Sequence, residues 1–219
     1  MINNPYIELV KNHEKILCES SEIFVKKNNW YSFFWNTNPI VLEIWTGLGN
    51  FFSKQVQENS EKNYIGMEIR YKRLYQTTEK CLWNKASYSK NSINTEKNEI
   101  HNNFILLKEY WEKVWEIFWV WELSECYIFF PDPWARKKSQ LKNRLLQTGF
   151  LNNLYDIMSF GAKVVIKTDH KEYFDFLLLE LEKTQWKIVF KSNDFENEQE
   201  FENSETTEFQ QLFRGQDIK

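Results

Sequence analysis

The chain has 219 residues, 42% of them apolar and 27% charged, with a net charge of −3. That balance fits one globular domain with its own core and excludes a disordered or fibrous chain. No run of about 18 apolar residues is present, and Met1-Ile2-Asn3-Asn4-Pro5 lacks a basic-then-apolar signal pattern, so the cytoplasm is the expected compartment.

Cys18, Cys81 and Cys126 are scattered and odd in number, which argues against a disulfide framework. They form no ligand spacing with His13, His101 and His170, so no metal site is expected. A monomer or weak homodimer is the expected assembly.

In chain order, residues 7–24 are weakly amphipathic and predict a helix. It lies in an N-terminal arm, residues 1–38, packed on the domain of residues 39–219. Asn38-Pro39 is a turn signal, and Ile40-Val41-Leu42-Glu43-Ile44 reads as a buried strand. A turn with Gly47 and Gly49 leads into a helix over residues 51–59. A second strand is predicted over 64–69 and a helix over 72–83. Residues 84–103 are polar and read as a surface loop. A third strand covers 104–107, a fourth 126–130, a helix 141–158 and a fifth strand 162–166. The helix over 171–183 carries Tyr173, Phe174, Leu177, Leu178 and Leu181 on one face. A sixth strand is predicted over 186–190, an acidic exposed loop over 193–205 and a last strand over 206–213. Strands alternating with helices predict an α/β fold with a mostly parallel, doubly wound sheet and helices on both faces.

The organising stretch is Phe129-Phe130-Pro131-Asp132-Pro133-Trp134-Ala135-Arg136-Lys137-Lys138. Pro131 ends the fourth strand because proline cannot donate to a ladder. Asp132 is thereby held between two prolines at a carboxyl strand tip, the edge where open α/β sheets bind ligands. Arg136, Lys137, Lys138, Lys142 and Arg144 follow as a cationic segment. A rigid acid beside a basic patch suits a polyanion whose reacting atom must be held near a carboxylate.

Two further elements carry chemistry. In Leu42-Glu43-Ile44-Trp45-Thr46-Gly47-Leu48-Gly49, a strand, a glycine turn and a helix start form a nucleoside pocket. Glu68 ends the second strand, where an acid can take both ribose hydroxyls. Together they suggest an adenosine-bearing cofactor.

From about Pro39 to Ile218 the chain resembles the bacterial tRNA (guanine-N7)-methyltransferases, which use S-adenosylmethionine to methylate a guanine in the tRNA variable loop. The residues that carry the resemblance are Phe130-Pro131-Asp132-Pro133-Trp134 with the basic run and Phe150-Leu151. Ile65-Gly66-Met67-Glu68-Ile69, Lys167-Thr168-Asp169 with Tyr173, and Thr207-Glu208-Phe209-Gln210 support it. The resemblance implies a Rossmann-like class I methyltransferase fold, S-adenosylmethionine as cofactor and tRNA as partner. Glu43, Gly47 and Gly49 would hold the methionine end, Glu68 the ribose, and Glu109 or Tyr110 the adenine. Asp132 matches the family's catalytic aspartate, which also reaches the cofactor. Arg136, Asp169, Thr207, Glu208, Phe209 and Gln210 match substrate-binding positions.

This sequence departs from the family in places. The adenine-contacting acid falls near Tyr110, with Glu109 one place early; Gln210 stands where an acid is usual; and the basic segment is one residue longer. Trp45 stands where the family's turn starts with Gly. Trp111 and Trp121 also occupy positions natural for small residues, and Trp, with 10 copies, outnumbers Gly, with 6. A source that reads UGA as glycine would produce this pattern under a table that assigns UGA to Trp. The rival account is a genuine Trp45 and a repurposed pocket, which gives the first alternative function, a non-catalytic tRNA-binding protein. The second alternative is a nicotinamide-dependent oxidoreductase, which the incomplete G-x-G-x-x-G spacing disfavours.

Overall fold

The computed structural model describes residues 4–82 and 102–193. The arm gives α1 (Tyr6–Lys11), β1 (Ile16–Leu17), α2 (Ser20–Phe24) and α3 (Trp30–Phe34). There follow β2 (Ile40–Ile44), α4 (Asn50–Glu58), β3 (Asn63–Met67), α5 (Tyr71–Leu82) and β4 (Phe104–Leu107). After a short 3-10 turn come α6 (Val114–Ile117), β5 (Leu123–Phe129), a second 3-10 turn (Lys138–Asn143), α7 (Thr148–Ile157), β6 (Met158–Lys167) and α8 (Lys171–Leu181).

The strands form one sheet, parallel at every pairing, in the order β1-β4-β3-β2-β5-β6. Every residue of β2, β3 and β4 is buried, as expected where helices cover both faces of a parallel sheet. Val10, Phe52, Val56, Leu74 and Cys81 from α1, α4 and α5 close one face. Ile23, Trp30, Phe34, Leu151, Leu154, Tyr173 and Leu177 from α2, α3, α7 and α8 close the other. Trp30 is fully buried, and its indole N–H donates to the Ile117 carbonyl at 3.1 Å. A truncation there to Ala would cost about 3–5 kcal/mol.

Three predicted elements come out differently. The helix over residues 7–24 is broken by β1, because the outer row of β4 demands a strand. Leu106 N–H donates to the Lys15 carbonyl at 3.0 Å and Lys108 N–H to Leu17 at 2.8 Å. The helix over 141–158 starts only at Thr148, since Arg144, Leu145 and Leu146 turn inward and are buried. Residues 186–190 form no strand. The run is instead anchored by Trp186, whose indole donates to the Leu151 carbonyl at 2.8 Å and packs edge-on to Tyr155 at 5.2 Å. The predicted strand over 206–213 and loop over 193–205 lie outside the described residues, apart from residue 193. No helix among the described residues is long and apolar enough to cross a membrane.

Candidate active site

Parallel strands put all their carboxyl ends on one edge. Across that edge the tips read, in lateral order, Glu109 (β4), Glu68 (β3), the turn 45–49 (β2), Asp132 (β5) and Asp169 (β6). Chain order reverses at β2, which makes the gap between β2 and β5 the topological switch point. Neighbouring strands are about 4.8 Å apart, so these groups can converge on one elongated ligand.

The β2 turn is tightly held. Trp45 and Thr46 donate their N–H groups to the Met67 carbonyl at 2.9 and 3.2 Å, and Gly49 N–H donates to Thr46 at 2.8 Å. Gly49 has φ +74° and packs so closely on α5 that a Cβ there would lie 2.3 Å from Thr77 Oγ1. Gly66 on β3 likewise lets Thr46 come close, for a Cβ would meet the Thr46 methyl at 2.7 Å. From α5, Lys80 Nζ donates to the Leu48 carbonyl at 2.5 Å and to Asn50 Oδ1 at 2.6 Å, bracing the turn. Thr46 Oγ1 is buried with no hydrogen-bond partner among the described residues.

Acids of different character flank this turn. Glu43 is buried within β2. Burial first, and the Glu43 charge second, push the thiols of Cys81 and Cys126 up. Glu68 is buried, and its Oε1 accepts from the Ile69 and Arg70 N–H groups at 2.9 and 3.0 Å. Among the described residues, the contact to its Oε2 comes from Arg73 Nη1 at 3.5 Å. Glu109 is buried too, accepting from Tyr110 N–H at 2.9 Å and from the Ser20 hydroxyl of the arm. Tyr110 beside it is exposed.

On the other flank Asp132 and Asp169 are exposed. The segment leading into Asp132 is fixed by Phe130, whose N–H donates to the Lys167 carbonyl at 2.8 Å and whose φ is +49°. Arg136, Lys137, Lys138 and Lys142 project into solvent. Arg144 does not, and this corrects its expected place in the cationic patch: it is 4% exposed. Thus Glu43, Gly47, Gly49, Glu68, Glu109, Tyr110, Asp132, Arg136 and Asp169 all stand on or beside one edge. Thr207, Glu208, Phe209 and Gln210 lie outside the described residues. Two surface depressions, one around Lys27, Trp119 and Asp156 and the other around Tyr155 and Glu182, are away from this edge and contain none of these residues. The chemistry-bearing groups favour the open edge, where a large polyanion has access.

Sequence reasoning missed Thr46, Lys80 and Ser20. Thr46 sits inside the turn motif and could have been named. Ser20 reaches Glu109 across 89 positions of chain, which no local pattern signals.

Residues 37–219 match a family model described as "Putative methyltransferase". A tRNA (guanine-N(7)-)-methyltransferase of Mycoplasma capricolum is 33% identical over 190 residues, covering 86% of this chain and 82% of that protein. The chain belongs to the tRNA (guanine-N7)-methyltransferase family. A bifunctional glycosyltransferase/methyltransferase of Fusobacterium nucleatum is 34% identical over 94% of this chain, which spans 30% of that longer protein. Among solved structures, an antibiotic-related methyltransferase superposes with a TM-score of 0.52 at 16% identity, covering 74% of this chain and 76% of that one. That likeness fits the Rossmann-like class I methyltransferase fold expected for the family.

Proposed function

We propose that the protein transfers a methyl group from S-adenosylmethionine to N7 of a guanine in the variable loop of tRNA, giving 7-methylguanosine. The observation that carries this reading is the lateral order at the carboxyl edge. Buried carboxylates and a glycine turn occupy one flank of the switch point, and Asp132 with its exposed basic segment occupies the other. The names of the relatives support tRNA as the substrate, and the arrangement of the edge supports a site with one flank for each half of the reaction.

The residues fit the cofactor. A buried Thr46 hydroxyl without a partner among the described residues and the buried Glu43 carboxyl suit a ligand bearing polar and cationic groups. Glu43 and the Gly47–Gly49 turn would hold its methionine end. Glu68 would take the ribose through Oε2, the oxygen less engaged by the chain. Glu109 and Tyr110 would flank the adenine. When bound, the cofactor supplies an electrophilic methyl carbon whose bond to sulfur breaks as the guanine N7 lone pair attacks.

N7 carries no proton, so the chain's residues have to position and stabilise rather than act as a strong base. The purine gains positive charge as the bond forms, and the Asp132 carboxylate would stabilise it as it develops. Arg136 and the neighbouring lysines would neutralise phosphates, fixing the tRNA's register without reading its sequence. Asp169 and residues 207–210 would add substrate contacts, and a tRNA substrate puts the reaction in the cytoplasm. Family membership removes the nicotinamide alternative.

The test is transfer of labelled methyl from S-adenosylmethionine to bulk tRNA, by the chain as written and by Trp45→Gly, with the product nucleoside identified. Label in 7-methylguanosine from either protein is the expected result. Folded proteins that bind tRNA but transfer nothing would leave the non-catalytic binder.

A further inference from the structure

We propose that Arg144 is a positioning residue for Asp132 and not one of the phosphate contacts, an inference that rests on the methyl-transfer reading of this edge. Its neighbours in the basic segment, Arg136, Lys137, Lys138 and Lys142, are all exposed, whereas Arg144 is 4% exposed. Arg144 Nε donates to the Pro133 carbonyl at 2.8 Å, one residue beyond Asp132. Its guanidinium carbon lies 5.0 Å from the Tyr173 ring centre and 4.7 Å from that of Phe176, both on α8. The backbone at 144 is fixed in turn, because Gln147 Nε2 donates to the carbonyls of Lys142 and Arg144, each at 2.7 Å. Tyr173 is fully buried and its hydroxyl accepts from Leu146 N–H at 3.1 Å.

One side chain therefore closes the base of the basic loop and ties the β5 tip to the first turns of α8. Asp132 is held upstream by the Phe130 N–H on β6 and downstream by the Arg144 bond on Pro133. A planar guanidinium can lie against two rings while its Nε still donates in-plane; an ammonium cannot do both. Charge alone is not what this site uses.

The test separates brace from phosphate ligand. The salt dependence of tRNA binding is measured for the parent, Arg144→Ala and Arg136→Ala, and kcat at saturating tRNA for the parent, Arg144→Lys and Phe176→Leu. Arg136→Ala sets the scale, a slope of log K against log salt shallower by about 0.7–0.9. For Arg144→Ala an unchanged slope is expected. For Arg144→Lys, which keeps the charge, kcat falls tenfold or more with the slope intact, and Phe176→Leu loses severalfold. A slope lowered as in Arg136→Ala, or full kcat in Arg144→Lys, overturns the proposal. Should Arg144→Ala fail to fold, Arg144→Lys and Phe176→Leu decide it. Should the parent transfer no methyl, the functional reading fails on its own and the slopes still decide whether Arg144 touches phosphate.

A different observation carries a second inference. Among the described residues, six other than glycine have positive φ: Asn28, Trp35, Trp45, Trp121, Phe130 and Trp134. Asn is at home there; a bulky aromatic is not. Trp35 ends α3 at φ +58°, the usual place of a helix-stopping glycine, and the residue is 93% exposed. Trp121, at φ +63°, is 73% exposed, and Trp45 opens the β2 turn at φ +64°. The geometry points to glycine at positions 35, 45 and 121 of the polypeptide made by the source organism, with UGA as the codon; Trp134, at φ +47°, is kept apart because it belongs to the Phe130-Pro131-Asp132-Pro133-Trp134 motif that carries the family resemblance. Trp111 leaves this set: it has no left-handed backbone, and its ring packs edge-on to Phe150 at 5.4 Å.

Peptide mass spectrometry of the natively made protein tests this, expecting Gly at 35, 45 and 121; Trp at those positions, or UGG codons, overturns it. In the chain as written, Trp35→Gly and Trp121→Gly are each expected to raise Tm by about 2–4 °C, whereas Trp111→Gly lowers it.

Discussion

On the β3–β4 flank of the β2 tip the carboxylates are buried and tied to main-chain N–H groups, whereas on the β5–β6 flank Asp132 and Asp169 stand in solvent. Glu68 and Glu109 are held by hydrogen bonds that the chain itself supplies. Asp132 is positioned differently. Its backbone is clamped by two prolines, the Phe130 N–H and the Arg144 bond, while its carboxylate is left open. One flank thus suits a small ligand with fixed hydroxyls, and the other a macromolecule that brings its own surface to exclude water.

The comparison predicts unequal losses. Asp132→Asn should lower kcat at saturating tRNA by about 10²–10³, with little change in Tm because the side chain is exposed. An unchanged kcat would remove the aspartate from the mechanism. Glu68→Gln should weaken S-adenosylmethionine binding about tenfold, or about 1.4 kcal/mol, as read by calorimetry. Tm should hold, since an amide oxygen can still accept from Ile69 and Arg70. Lys138→Ala belongs to the open flank and should act only on tRNA, making the salt slope shallower by about 0.7–0.9; altered cofactor affinity would blur the division.

The smallest effects come from β5 and the turn before it, where no ligand is involved. Burial lifts the Glu122 carboxyl above the usual carboxylate range against the N–H groups of Trp119, Asn28 and Trp30. The folded chain then holds that proton more tightly than the unfolded chain, so the ionised form costs stability at neutral pH. Glu122→Gln should raise Tm by about 2 °C at pH 7, and the gain should vanish as pH falls. Glu125 has the opposite sign. Burial would raise it, but hydrogen bonds from Lys62 and Tyr127 with the Lys163 charge together bring it below its ordinary value. Its contribution is present at neutral pH and lost as pH falls through its folded value, so Glu125→Gln should lower Tm at pH 7 and not in acid. Equal responses at pH 7 would sink both assignments.

Much of this architecture is legible in the residues. Ile40–Ile44 and Phe104–Leu107 are found at their predicted bounds, because continuous apolar runs between turn signals leave little choice. Glu68 and Asp132 were identified at strand tips by the same logic. What periodicity could not reveal depends on distant partners. Residues 7–24 have a helical pattern, yet Ile16 and Leu17 extend because the β4 edge offers them a ladder. Arg144 reads as one more cation in a basic run, and the Pro133 carbonyl together with the rings of Tyr173 and Phe176 turns it inward. Trp45, Trp111 and Trp121 are singled out in the sequence as standing where Gly or a small residue is natural, and the left-handed backbone is found at Trp45 and Trp121 but not at Trp111. Trp35 is not singled out, since nothing in its neighbours signals the end of α3.

The brevity of β1 has a consequence for behaviour in a crowded solution. Two residues, Ile16 and Leu17, cover the outer row of β4, a fully buried and wholly apolar strand. Were the arm to peel away, Leu106 and Lys108 would present unmatched N–H groups beside an oily surface, a template for another copy's strand. The arm is therefore also a guard against self-assembly. A chain without its first 19 residues is expected to form concentration-dependent aggregates, visible by light scattering, under conditions where the whole chain stays dispersed.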